Sequence, residues 1–266
     1  MKCFRQLRQL RQLRQRLPLS LALLPVLLYA CGGANLINPE TGEVRTEATS
    51  PELIQEGNEA FRKYRMLNPV SHDAALNARV NRIANRLKPV VNLPGVEWDF
   101  VVFQDKTANA FALPGGKVGI NTGILSLAEN DHQLATVIAH EMAHVSANHA
   151  QSRLHRQKVI GVGSALFGTL LGGAAEGASY QELAQTGGQI VFGLPFSRSQ
   201  ELEADKIGLI YMAKAGYDPA ESVKLWQAMA AQDGSHQLAF MSTHPVNESR
   251  IAAIRDFLPT ARQYAR

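Results

Sequence analysis

The chain has almost no cysteine. Cys3 and Cys31 are the two thiols in 266 residues, and both lie within the first 31. No disulfide framework can hold the body of the protein, so its core must be held by packing, with or without a metal. Acidic residues are missing from the same stretch, where Lys2, Arg5, Arg8, Arg11, Arg14 and Arg16 stand uncompensated. Setting those six cations aside turns the net charge of +4 into about −2, which excludes a basic, nucleic-acid-binding body. Long hydrophobic runs are missing too beyond the leader. The nearest candidate, Val159 to Ala175, is short and broken by Gly161, Gly163, Gly168, Gly172 and Gly173. It is expected to be a buried or mobile helical segment, not a membrane span.

What is present begins with a secretion signal. The basic residues lead into an apolar run from Leu17 to Tyr29, the length of a signal-peptide core. It ends in Leu28-Tyr29-Ala30-Cys31-Gly32, which resembles a bacterial lipoprotein cleavage box, with Gly32 resembling the outer-membrane sorting pattern. Residues 1–30 are therefore expected to be removed, Cys31 to be lipidated, and 31–50 to act as a flexible tether. Residues 51–266 are expected to make one domain, and the 45% hydrophobic and 19% charged residues of the whole chain allow a packed core.

The periodicity predicts helices over Pro51 to Met66 and Ser71 to Lys88, then strands over Trp98 to Phe103 and Lys117 to Asn121. Asp131 is expected to cap the next helix, and a Gly-rich stretch from Gln151 to Pro195 to form a movable cover. Further helices are expected from about Ser199 to Lys214, after Pro219, and from His244-Pro245 onward. The fold class is α+β, mostly helical with a small sheet.

His140-Glu141-Met142-Ala143-His144 is HExxH within a helical pattern. Four residues make slightly more than one turn, so His140 and His144 share a face and can share a metal. Imidazole suits zinc, which then needs another protein ligand and one open position. Glu141 lies one step around the helix, placed to act as general base on a water activated by the metal. Such a five-residue pattern arises by chance in roughly one chain per hundred, so the third ligand decides. A further His at the spacing of the metzincins is absent, those positions being Ala147 and Ala150. His149 falls opposite His140 on the helix and is expected to be solvated. Glu201 and Asp205, on one face of a second helix, supply a third ligand and an acceptor for a ligating imidazole N–H. Glu203 is expected at the surface, and Gly208 to let the two helices approach. The strand residues Gly116, Lys117, Val118 and Gly119 are read as an edge that could bind an extended substrate through its backbone. His244 could donate to a developing oxyanion, close the metal's open position, or merely start a helix; Arg250 is a weaker oxyanion candidate.

The run Pro195 to Gly208, PFSRSQELEADKIG, resembles the SR-x-x-E-x-x-AD-x-x-G signature of metallopeptidase family 48. Asn109 to Gly116 resembles the family's NAFA-x-PGG segment, and Ser242-Thr243-His244-Pro245 its late THP motif. The resemblance spans about Ser71 to Leu258 and implies a zincin-like (gluzincin) domain holding one Zn2+ through His140, His144 and Glu201, with Glu141 catalytic and Asp205 behind the ligands. It also implies a protease of misfolded or misassembled envelope proteins. With the leader, this points to a lipoprotein anchored through Cys31 at the periplasmic face of the outer membrane, with the outer-membrane assembly machinery a candidate partner. No helical-repeat domain of the kind some members carry is expected after the THP helix. The alternative is a zinc-containing, chaperone-like or assembly-binding module with little proteolysis.

Overall fold

The computed structural model describes residues 36–46, 48–91, 93–156, 195–231 and 239–265. The expected signal peptide, Cys31 and most of the expected cover, 157–194, lie outside them. Ser50 caps α1 (Pro51–Leu67) by accepting from the Leu53 N–H, with Pro51 in the first turn where its missing N–H costs nothing. Asp73 caps α2 (Ala74–Leu87), whose buried Val80, Ile83, Ala84 and Leu87 form one apolar stripe.

Three strands follow: β1 (Asp99–Phe103), β2 (Ala110–Leu113) and β3 (Lys117–Asn121). Their order is β1-β3-β2, with β1 parallel and β2 antiparallel to β3. This corrects the edge assignment of Gly116 to Gly119. β3 is paired along both sides, so Lys117, Val118 and Gly119 have no free backbone to offer a substrate. Alternating Val118 and Ile120 report buried faces and say nothing about which neighbours a strand has. Gly116 closes the β2–β3 turn at φ 79°, a conformation costly for other residues. One face of the sheet carries Val101, Phe103 and Leu113 against Phe61 of α1. The other carries Val102, Ala110, Val118 and Ile120 into the main core.

After α3 (Thr122–Leu127) comes α4 (Asp131–Ser146), buried throughout from Gln133 to Ser146. Its cap is Asn130, which accepts from Gln133, not Asp131. Asp131 instead pairs with Arg79 and Arg82 of α2. Asn148 then takes φ 52°, and the chain re-enters a helical stretch at 149–156. A Ser197–Gln200 capping box opens α5 (Arg198–Lys214), followed by α6 (Glu221–Ala231), α7 (Ala239–Thr243) and α8 (Glu248–Arg262). Asn247 caps α8, so His244-Pro245 precedes that helix instead of starting it.

Part of the expected tether is not free. Ile37 pairs with Val44, Lys214 donates to the Gly42 carbonyl, and Tyr264 donates to that of Pro39. None of the described helices is long and apolar enough to cross a membrane.

Candidate metal centre and active-site cleft

α4 and α5 cross at close range because position 208 has no side chain. A Cβ on Gly208 would lie 3.3 Å from the His140 nitrogen. This approach lets one turn of α4 and one of α5 present their polar residues to a shared point inside the core. His140, His144, Glu201 and His244 are all buried there, and their ligand atoms lie within 4.8 Å of one another.

The separations have a recognisable scale. His140 Nε2 lies 3.0 Å from His144 Nε2, 3.3 Å from His244 Nδ1 and 3.5 Å from Glu201 Oε2. Glu201 Oε1 is 3.4 Å from His144 Nε2 and 3.0 Å from His244 Nδ1. A tetrahedral zinc with bonds of roughly 2.0–2.1 Å would hold its ligands about 3.3–3.4 Å apart. Four buried donors therefore converge, with several of their separations near that edge length. Glu201 Oε2 and Glu141 Oε1 are buried without an aligned hydrogen-bond donor among the described residues, although Arg250 Nη1 lies against the first and His244 Nε2 is 3.3 Å from the second. Converging lone pairs with too few protons between them are what a divalent cation satisfies. The donor set of imidazole nitrogens and a carboxylate fits such an ion.

Charge around the centre is arranged to keep the carboxylates ionised. Burial alone would raise Asp205, but Arg250 and His140 outweigh it and hold its carboxyl below the usual range. Burial likewise opposes ionisation of Glu201, and its contacts with His140, His144 and His244 push it far below that range. Burial would lower His140 as well; Asp205 and Glu201 reverse this and raise it to about 9 in the metal-free protein. His144 goes the other way, because burial dominates and keeps it neutral. In each direction the ordinary scale is overridden by what is packed beside the group.

Asp205 Oδ1 stands 3.1 Å from His140 Nδ1, on the ring side away from the donor cluster. Arg250 is not free for an oxyanion. Its Nε and Nη2 bind the two Asp205 oxygens, and its Nη1 contacts Glu201 and the Pro245 carbonyl. Glu141 follows His140 on α4, with its carboxylate 3.3 Å from His244 Nε2. Sequence reasoning missed a box of rings around the centre. Phe196 stacks on His144 at 3.8 Å, Phe240 stacks on His244 at 4.4 Å, and Trp226 meets His140 edge-on at 5.6 Å. The position of Phe196 within the PFSRS run was the available signal. These rings exclude water and strengthen every charge interaction inside.

His149 departs from the expectation that it is solvated, while Glu203 stays partly exposed as expected. His149 is buried, with its Nδ1 2.8 Å from His144 Nδ1 and its Nε2 3.2 Å from Glu203 Oε2. Helical extrapolation placed it opposite because the turn at Asn148 ends the helix before it.

A cleft of about 280 Å³ opens beside Glu141 and His244, walled by Tyr64, Phe111, Ala112 and Phe196. The β2 side of it is a free strand edge. Asn121 N–H bonds the Asn109 carbonyl, so in the register of Phe111 with Gly119 the hydrogen-bonded pairs fall on odd-numbered residues. The N–H and C=O of Ala112 then point away from β3, and among the described residues nothing pairs with them.

Comparisons with known proteins agree with this arrangement. A family model described as Peptidase family M48 matches residues 74–258. The mitochondrial metalloendopeptidase OMA1 of Schizosaccharomyces pombe is 37% identical over 187 residues, covering 69% of this chain and 53% of its own. A putative beta-barrel assembly-enhancing protease of Vibrio cholerae is 32% identical over 234 residues, 85% of this chain and 48% of its own. The beta-barrel assembly-enhancing protease of Escherichia coli is 30% identical over 210 residues, 76% of this chain and 43% of its own. The chain spans about half the length of the curated relatives it matches. With the matched segment covering most of the chain and carrying all four residues of the candidate metal centre, the protein belongs to peptidase family M48.

Proposed function

We propose that the protein is a zinc endopeptidase that cleaves misfolded or misassembled proteins of the bacterial envelope, with His140, His144 and Glu201 holding the metal. The observation that carries this is the convergence of those three side chains beside Glu141, at the end of a cleft with a free strand edge. An extended chain pairs with the outward N–H and C=O of Ala112 on β2. Backbone pairing is largely blind to sequence, which suits unfolded clients. Bound zinc supplies a Lewis acid for the scissile carbonyl and for the attacking water. Glu141 removes the proton from that water and delivers it to the leaving amine. Asp205 fixes the His140 ring, and Arg250 keeps both buried carboxylates in place.

His244 Nδ1, 3.3 Å from His140 Nε2 and 3.0 Å from Glu201 Oε1, would compete with substrate for a bound metal. It must leave for substrate to enter, and its N–H can then face the developing oxyanion. The N-terminal pattern ending at Cys31 supports a lipid anchor on the periplasmic face of the outer membrane. The names of the bacterial relatives support envelope clients and a connection to the assembly machinery.

Replacing Glu141 by Gln tests this directly. The variant should retain one zinc per chain while cleavage of an unfolded outer-membrane protein, mapped by mass spectrometry, falls by about 10²- to 10⁴-fold. Undiminished cleavage would remove Glu141 from the mechanism. Full complementation of a deletion strain by this variant would favour an assembly-binding role over proteolysis.

A further inference from the structure

We infer that His149 and Glu203 form a positioning relay for His144, doing through two hydrogen bonds what Asp205 does for His140 through one contact. This rests on the reading of His144 as a metal ligand. The placement of protons follows from the geometry. His144 turns its Nε2 toward the donor cluster, 3.0 Å from His140 Nε2. A lone pair is needed there, so the ring's single proton sits on Nδ1. That Nδ1 is 2.8 Å from His149 Nδ1, which must therefore accept. His149 then carries its own proton on Nε2, and Nε2 lies 3.2 Å from Glu203 Oε2, an acceptor. Any other neutral arrangement sets two N–H groups or two lone pairs against each other at one of these contacts.

The relay is built, not incidental. Asn148 at φ 52° turns the chain so that His149 folds back beside His144. Gln200 Nε2 holds the His149 carbonyl at 3.2 Å, and Thr49 donates to Asn148 Oδ1 at 3.1 Å. Phe196, stacked on His144, covers one face of that ring. Glu203 lies two residues from Glu201, on the other side of α5, and reaches the site because His149 comes to it. Its side chain remains 34% exposed, so the relay ends at the surface. α5 thus braces both imidazoles: Asp205 faces His140 directly, and Glu203 reaches His144 through His149.

The test measures zinc affinity of the full chain by chelator competition, with metal-free melting temperature as the control for folding. His149→Phe should weaken zinc about 10- to 100-fold. Glu203→Ala should weaken it by roughly several-fold, and Glu203→Gln, which keeps an acceptor oxygen, should restore it to near wild type. The Glu203 variants should melt like the parent without metal, separating positioning from folding. In zinc-loaded, ¹⁵N-histidine-labelled protein, His149 should be protonated on Nε2 alone. Wild-type affinity in both His149→Phe and Glu203→Ala, or a proton on His149 Nδ1, would overturn the relay. Wild-type affinity in His144→Ala would instead overturn the ligand assignment beneath it.

Discussion

The two ends of α4 carry ionic groups in opposite settings. At the N-terminal end, Asp131 meets Arg79 and Arg82 at the surface. At the C-terminal end, Glu141, Glu201 and Asp205 are buried with Arg250 and four imidazoles. Water screens the first group, so its geometry can drift at little cost. The second group has no solvent to fall back on, and each charge must find its partner in a fixed place. One helix therefore shows where charge merely decorates a fold and where the fold is arranged around charge. The comparison also says which substitutions should matter most.

The largest effect should come from breaking the buried end at its proposed metal donor. Glu201→Ala should reduce zinc from one per chain to near zero and lower proteolysis by at least ~10³-fold, as metal analysis and a casein assay would read. Unchanged metal content would sink the ligand assignment. Arg250→Met should come next. It leaves Asp205 and Glu201 without their cation and should cost about 3–5 kcal/mol in urea unfolding of the metal-free protein. A loss below roughly 1 kcal/mol would mean that the guanidinium is replaceable by water.

How much of this was legible without coordinates differs between the same two settings. HExxH and ExxxD obey helical spacing, so His140, His144, Glu201 and Asp205 could be paired across two helices from periodicity and family resemblance. The helices themselves followed from apolar stripes such as Val80, Ile83 and Leu87. Periodicity failed where the chain stops being periodic. Asn148 leaves the helix with a positive φ, an excursion Asn tolerates better than most residues, and every wheel projection beyond it misplaced His149. Alternation likewise could not distinguish a central strand from an edge, so β3 took the role that the backbone of β2 is free to play. The cap of α4 fell to Asn130 rather than Asp131, a one-residue ambiguity between two good capping residues.

Between the two ends lies the helix crossing at Gly208. Gly208→Val would drive a branched side chain against the backbone of Ala139 and His140. Overpacking of that kind costs about 1–3 kcal/mol. Because the strain falls on the turn that carries His140, zinc affinity should drop together with melting temperature. A variant that melts lower yet binds zinc like the parent would show that the crossing can open without disturbing the donors.

The smallest effect should come from the exposed end. Burial would raise the Asp131 carboxyl, but hydrogen bonds from Arg82 and Arg79 prevail and hold it below the usual carboxylate range. A carboxyl lowered in this way stabilises the fold above its unfolded pKa, about 4, and loses that contribution as pH falls through its lower folded value. Asp131→Asn should therefore cost less than about 1 kcal/mol at pH 7. The gap to wild type should narrow below pH 4 and also shrink in 1 M salt, where exposed charges are screened. The Arg250→Met gap, formed among buried groups, should keep most of its size in the same salt. If the two gaps collapsed together, burial would not be what separates the two ends of α4.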